Sequence, residues 1–201
     1  KIANEYKIPT FVLGVGLGGL IILNLLEKTE LPIEGILLFS PMLELKRDYK
    51  GRKNKLISNV GKISKDTRFK VGITPQDLTR NDEIIEETAN DGLMLKKVTY
   101  SWYNLINEKM KETMDHIRDI KPISALIMYG TNDKILETQS INEMKDKLKS
   151  KEMYFKVWDG LYHEIHNEPE RDLVMRYVLS FLNNSVNTMG FIVNEEEIED
   201  I

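Results

Sequence analysis

The chain has 201 residues, of which 41% are hydrophobic, and its 28 Lys+Arg against 32 Asp+Glu leave a formal net charge of −4. That suits one globular domain able to bury a core, and the mild acidity argues against nucleic acid as the main partner. The absence of cysteine excludes a disulfide scaffold, a thiol nucleophile and a thiolate metal site. No apolar run reaches the roughly 18 residues of a membrane span, the opening residues do not read as a signal peptide, and the expected setting is cytoplasmic.

The first element is a buried strand at Thr10-Phe11-Val12-Leu13, a short β-rich run after Pro9. The glycine-dense Gly14-Val15-Gly16-Leu17-Gly18-Gly19 follows, and then Leu20 to Leu26, apolar nearly all round, which predicts a helix buried against a sheet. A second strand covers Gly35 to Phe39 and ends at Ser40-Pro41. Strand, buried helix and strand with short connections make a βαβ unit, hence a parallel sheet covered by helices.

Residues 43 to about 114 differ in texture. They are rich in Lys, Asn and Glu, with scattered apolar positions such as Leu56, Ile57, Val60 and Ile63. A helix over about 80–90, capped by Thr79, and another from Tyr100 to Met114 carrying Trp102, Tyr103, Leu105 and Ile106 are expected here. The stretch reads as a helical insertion outside the sheet. Regular α/β order resumes with a strand at Ile123 to Gly130, an amphipathic helix over 139–150 and a last strand at Met153 to Trp158. A closing helix spans Leu173 to Leu182, and the tail from about Asn183, ending in Glu195 to Asp200, reads as solvated.

The glycine turn has two readings. Gly14-x-Gly16-x-x-Gly19 between a strand and a helix matches the dinucleotide-binding fingerprint, whose glycines let a pyrophosphate approach a helix N-terminus. That fingerprint needs an acidic residue at the far end of the next strand, where this chain has Phe39-Ser40-Pro41 and keeps Glu34 at the near end. The other reading is the nucleophile elbow, Gly-x-Ser-x-Gly, with Gly14 and Gly18 flanking, Gly19 supporting close packing, and Gly16 where the serine would stand. The turn alone does not choose between them.

The downstream chain favours the elbow, which requires an acid after a later strand and a histidine after the last one. Asp133 follows the strand ending at Gly130, and His163 follows the strand ending at Trp158. Both fall at carboxyl ends of strands, where parallel sheets carry their sites. Asp133 alone would read equally as a helix cap. His163 and His166 are three apart with Glu164 between and no further ligand cluster, which argues against a metal site, and His116 falls in a charged helix end.

These residues resemble the α/β-hydrolases of the monoacylglycerol lipase, lysophospholipase and serine aminopeptidase-like group. The resemblance is carried by Val12 to Gly19, Leu38 to Leu43, Asp77-Leu78-Thr79-Arg80-Asn81, Asn90 to Leu93, Tyr129 to Ile135 and Gly160 to Glu164, and spans about residues 5–182. It implies a mostly parallel sheet flanked by helices, with core segments 1–42 and 115–185, a helical cap over 43–114 and an acidic tail over 186–201. It further implies Asp133 as the orienting acid, His163 as the general base and the backbone N–H of Leu17 as an oxyanion donor. Met42, Leu43, Met94, Trp102 and Tyr103 would be apolar lining for an acyl-ester or lysophospholipid-like substrate, with no cofactor and with peripheral membrane contact as the only membrane role.

Two departures qualify the resemblance. Gly16 has no hydroxyl, so no acyl-enzyme can form on it, and the resemblance then implies an inactive form or a non-catalytic lipid- or protein-binding relative, with dinucleotide binding a distant third. The family also carries strands and an oxyanion loop before the elbow, so the opening at Lys1 is expected to be a cut edge.

Overall fold

The structure is a computed structural model that describes residues 5, 6, 8–46 and 66–188, with side chains described as far as residue 185. The expected apolar positions Leu56, Ile57, Val60 and Ile63 and the acidic run 195–200 lie outside the described residues.

Four parallel strands form the main sheet: β1 (Phe11–Val15), β2 (Gly35–Phe39), β5 (Ser124–Gly130) and β6 (Met153–Trp158), in the spatial order β1-β2-β5-β6. Their registers pair Phe11 with Gly35, Gly35 with Ser124 and Ala125 with Met153, so all four strands end along one edge. The period of two sorts the strand residues between two cores. Ile36, Leu38, Ala125, Ile127 and Tyr129 pack on one face, while Leu37, Phe39, Leu126 and Met128 pack on the other.

The first face is covered by α1 (Leu17–Leu26), α4 (Tyr100–His116) and α5 (Gln139–Lys147). The second is covered by α6 (Arg171–Thr188) through Val174, Val178 and Phe181. α6 runs past the expected stop at Leu182 because its inward face continues to the buried Ser185. α1 is less enclosed than its composition suggests. Leu20 and Leu23 are buried, but Ile21 and Leu25 are 58% and 43% exposed on its outer side. Among the described residues β1 pairs with β2 alone, and Leu13 is 48% exposed.

Among the described residues between β2 and β5, helices are joined by a short ribbon. Besides α2 (Pro75–Leu78), α3 (Asp82–Asn90) and α4, these residues form a small antiparallel ribbon of β3 (Arg68–Lys70) and β4 (Lys97–Thr99), separate from the main sheet. The ribbon packs onto α4 through the edge-to-face pair Phe69–Tyr103, 5.4 Å between ring centres. Thr79 is not the cap of α3. Asn81 takes that place, its side chain accepting from the Glu83 N–H, while the Thr79 hydroxyl reaches across the molecule to the Asn167 carbonyl at 2.9 Å.

Gly130 closes β5 against the backbone of the turn after β6. A Cβ there would lie 2.1 Å from the Leu161 carbonyl oxygen and 2.7 Å from that of Tyr162, both main-chain atoms with no freedom to swing aside. Gly130→Ala is therefore expected to destabilise the fold by about 3 kcal/mol or more, at the upper end of overpacking effects. An unfolding free energy within about 1 kcal/mol of the parent's, by linear extrapolation from urea, would mean that this turn yields easily.

Among the described residues no helix is long and apolar enough to cross a membrane.

Candidate functional site

The carboxyl edge of the sheet brings together three residues that are far apart in the chain. Asp133 follows β5 in a tight turn and is fully buried. Its Oδ1 accepts the backbone N–H groups of Ile135 and Leu136 at 2.8 and 2.9 Å, and its Oδ2 lies 2.8 Å from His163 Nδ1. The Lys46 ammonium donates to the Asp133 carbonyl, fastening the turn from the far side. An ionised carboxylate only accepts, so the geometry assigns the Nδ1 proton to His163 and leaves Nε2 as its free acceptor. His163 is 6% exposed, in the turn after β6.

Nε2 faces the glycine turn. A Cβ built on Gly16 would stand 3.0 Å from it and 3.6 Å from Cε1. Gly16 has φ +51° and ψ −114°, a left-handed conformation that disfavours any side chain. The turn is pinned on several sides. The Gly16 N–H donates to the Phe39 carbonyl at 2.9 Å, and the Gly16 carbonyl accepts from Met42 at 2.9 Å and Gly19 at 3.1 Å. Two neighbouring glycines are required by contact: a Cβ on Gly14 would meet Gly19 N at 2.6 Å, and one on Gly19 would meet Pro41 Cβ at 2.8 Å. Gly18 differs from these two. A Cβ there would meet nothing within 4 Å, so no close approach demands it.

Leu17 opens α1, and its N–H belongs to the first turn, whose donors point out of a helix N-terminus rather than into the helix. The suggested lining residues divide. Leu43 is buried in the main core, with Met42 and Tyr103 packed against that core, so packing accounts for all three. Met94 and Trp102 are partly exposed and belong to neither core. Glu34 precedes β2, with its N–H tied to the Thr10 carbonyl, at the opposite edge from the glycine turn. The acid that a ribose would need is therefore misplaced.

Several residues around this candidate site were not anticipated. Ser40, at the end of β2, is fully buried with φ +43°, and its Oγ has no hydrogen-bond partner. Glu168 is fully buried and paired with Arg80, from the segment between β2 and β5. Their sequence separation carries no periodic signal; only the resemblance carried by Asp77 to Asn81 pointed to that segment.

His166 lies three residues beyond His163, its ring 6.2 Å from Phe39 and its Nδ1 buried without a partner. Burial lowers its pKa, helped by the nearby His163 and opposed by Glu164. A histidine with a depressed folded-state pKa takes up a proton on unfolding, so its contribution destabilises the fold as pH drops below its ordinary value of 6.5. The urea midpoint of the parent should therefore fall more steeply between pH 7 and pH 5 than that of His166→Phe. His116, raised by its hydrogen bond to Asp119, acts with the opposite sign, so the difference between the two chains isolates His166. Parallel curves would remove His166 from the pH response.

Comparisons with known proteins agree with this architecture. A phospholipase from Bacillus subtilis is 28% identical over 92% of this chain and 71% of its own length. A monoacylglycerol lipase from Mycolicibacterium smegmatis is 35% identical over 28% of this chain and 20% of its own length. Among solved structures, the monoacylglycerol lipase of Paleococcus ferrophilus superposes with a TM-score of 0.79 at 22% identity, covering 92% of this chain and 72% of that one. A soluble variant of the Saccharomyces cerevisiae monoglyceride lipase, solved with a substrate analog, gives 0.80 at 18% identity, covering 92% and 64%. At these identities the superpositions show the α/β-hydrolase fold. The model of the family described as "Serine aminopeptidase, S33" matches residues 1–170, and the chain belongs to that hydrolase family.

Proposed function

We propose that the chain carries a lipase-type acyl-ester site in a form that lacks its nucleophile. Asp133 orients His163, His163 is the general base, Gly16 occupies the nucleophile's place and the Leu17 N–H is an oxyanion donor. The segment over 43–114 is the cap that shelters an acyl-ester or lysophospholipid-like substrate. The observation that carries this reading is the position of Gly16: its missing Cβ points at His163 Nε2 from 3.0 Å, in the strained backbone of an elbow. A serine Oγ, one bond further out, comes within hydrogen-bonding reach of Nε2 by rotation about χ1.

The chemistry then follows in balanced steps for the serine form. Oγ attacks the ester carbonyl while Nε2 takes its proton. Nε2 returns that proton to the departing alcohol, and water repeats the sequence to release the acid. The test is hydrolysis of short p-nitrophenyl esters by the full-length protein carrying Gly16→Ser, beside the Gly16 parent. Turnover in the serine form alone supports the reading. A folded serine form that binds monoacylglycerol or lysophospholipid without turnover would assign a binding role instead.

A further inference from the structure

The turn that carries His163 is held by the insertion as well as by the sheet. The two residues flanking His163 both have their backbone N–H groups tied to that insertion or to its partner. The Tyr162 N–H donates to Glu168 Oε1 at 3.0 Å, and the Glu164 N–H donates to the Leu78 carbonyl at 2.8 Å. Glu168 in turn accepts from Arg80, through Nε to Oε2 at 2.6 Å and through its backbone N–H to Oε1 at 3.3 Å. The other arm of the guanidinium reaches Glu170 Oε2 at 2.5 Å. Thr79 adds its hydroxyl to the Asn167 carbonyl at 2.9 Å. A carboxylate with no exposed surface is tolerated only when donors satisfy it, and here three donors converge on Glu168.

From this arrangement we infer that Arg80 and Glu168 are positioning residues that latch segment 75–81 to the His163 turn and so set the aim of Nε2 at residue 16. The inference rests on the reading of His163 as the base. A buried ion pair is weak evidence for stability, since well-packed apolar residues often serve as well. What Arg80 adds is direction: its planar guanidinium, held by Glu170 on one arm, points its Nε–H at Glu168 along a fixed line, which a lysine ammonium does not. Misplacing a base by about 1 Å costs on the order of a hundredfold in rate, so a latch on both flanking amides acts where precision is needed.

The test uses the full-length chain with Arg80→Ala, Arg80→Lys and Glu168→Gln. Lys121→Ala, which removes the exposed Lys121–Glu30 pair, is the control. Hydrogen exchange is expected to speed up about tenfold or more at the Tyr162 and Glu164 amides in the Arg80→Ala and Glu168→Gln chains, with amides in the middle of β5 unchanged. The downfield proton signal of His163 Nδ1–H should broaden in the same variants and not in the control. In the Gly16→Ser background, Arg80→Ala should lower kcat by about 10- to 100-fold with KM within about threefold, and Arg80→Lys should recover part of the loss. Arg80 is partly exposed, so its variants decide the matter even where Glu168→Gln does not fold. Exchange and the His163 signal unchanged in Arg80→Ala would overturn the latch, as would acceleration spread evenly over all buried amides. An inert Gly16→Ser chain would overturn the ester-hydrolase reading, while the exchange and proton signals would still decide the latch.

Discussion

Gly16→Ser is expected to raise the rate of p-nitrophenyl ester hydrolysis by about four to six orders of magnitude over the parent. Loss of such a nucleophile elsewhere leaves only the contribution of binding and oxyanion donors, and restoring it recovers the difference. The site is arranged for the gain: His163 Nδ1 is held by Asp133 at 2.8 Å, and the Nε2 lone pair faces the vacant side-chain direction. The same substitution should weaken the fold. A side chain at φ +51° is strained by about 1–3 kcal/mol, and a Cβ 3.0 Å from Nε2 requires the imidazole to shift by a few tenths of an ångström. The parent should thus have the higher urea midpoint and the serine form the activity. A serine form that gains no activity although its His163 signal is intact would overturn the ester-hydrolase reading.

The sheet and much of the candidate site were legible because they rest on local signals. β2 and β6 fall where the sequence reading puts them, since short β-rich runs bounded by turn residues leave little choice. Asp133 and His163 were legible because each follows a strand directly, and parallel strands deliver their carboxyl ends to one edge. What escaped depends on contacts between distant parts of the chain. The Arg80–Glu168 pair joins residues 88 apart, and Thr79 leaves its expected capping role because the Asn167 carbonyl is within reach. Ser40 shows the same limit: a residue before proline is expected to be extended, yet it is held at φ +43° with its N–H on the Met128 carbonyl. The β3–β4 ribbon was missed because three-residue strands carry too little periodicity to stand out from a polar loop.

Asp133→Asn, introduced into the Gly16→Ser chain, is expected to lower kcat by about 10⁴-fold while KM stays within about threefold. The reason lies in which atoms the asparagine can offer. Asp133 Oδ1 accepts two backbone N–H groups, from Ile135 and Leu136. The asparagine carbonyl must take that place, because turning its amide toward them would leave buried donors facing donors, at about 1–3 kcal/mol for each unsatisfied group. Its NH₂ then points at His163 Nδ1, where the carboxylate oxygen stood at 2.8 Å. Nδ1 must become the acceptor, the ring proton moves to Nε2, and the nitrogen facing residue 16 can no longer take a proton. Side-chain size and both main-chain hydrogen bonds are retained, so stability should change little while the proposed base is lost. The downfield Nδ1–H signal should vanish in Asp133→Asn made in either background, which ties the kinetic loss to the tautomer. A loss of less than tenfold in kcat, with that signal gone, would show that the orienting acid is not Asp133.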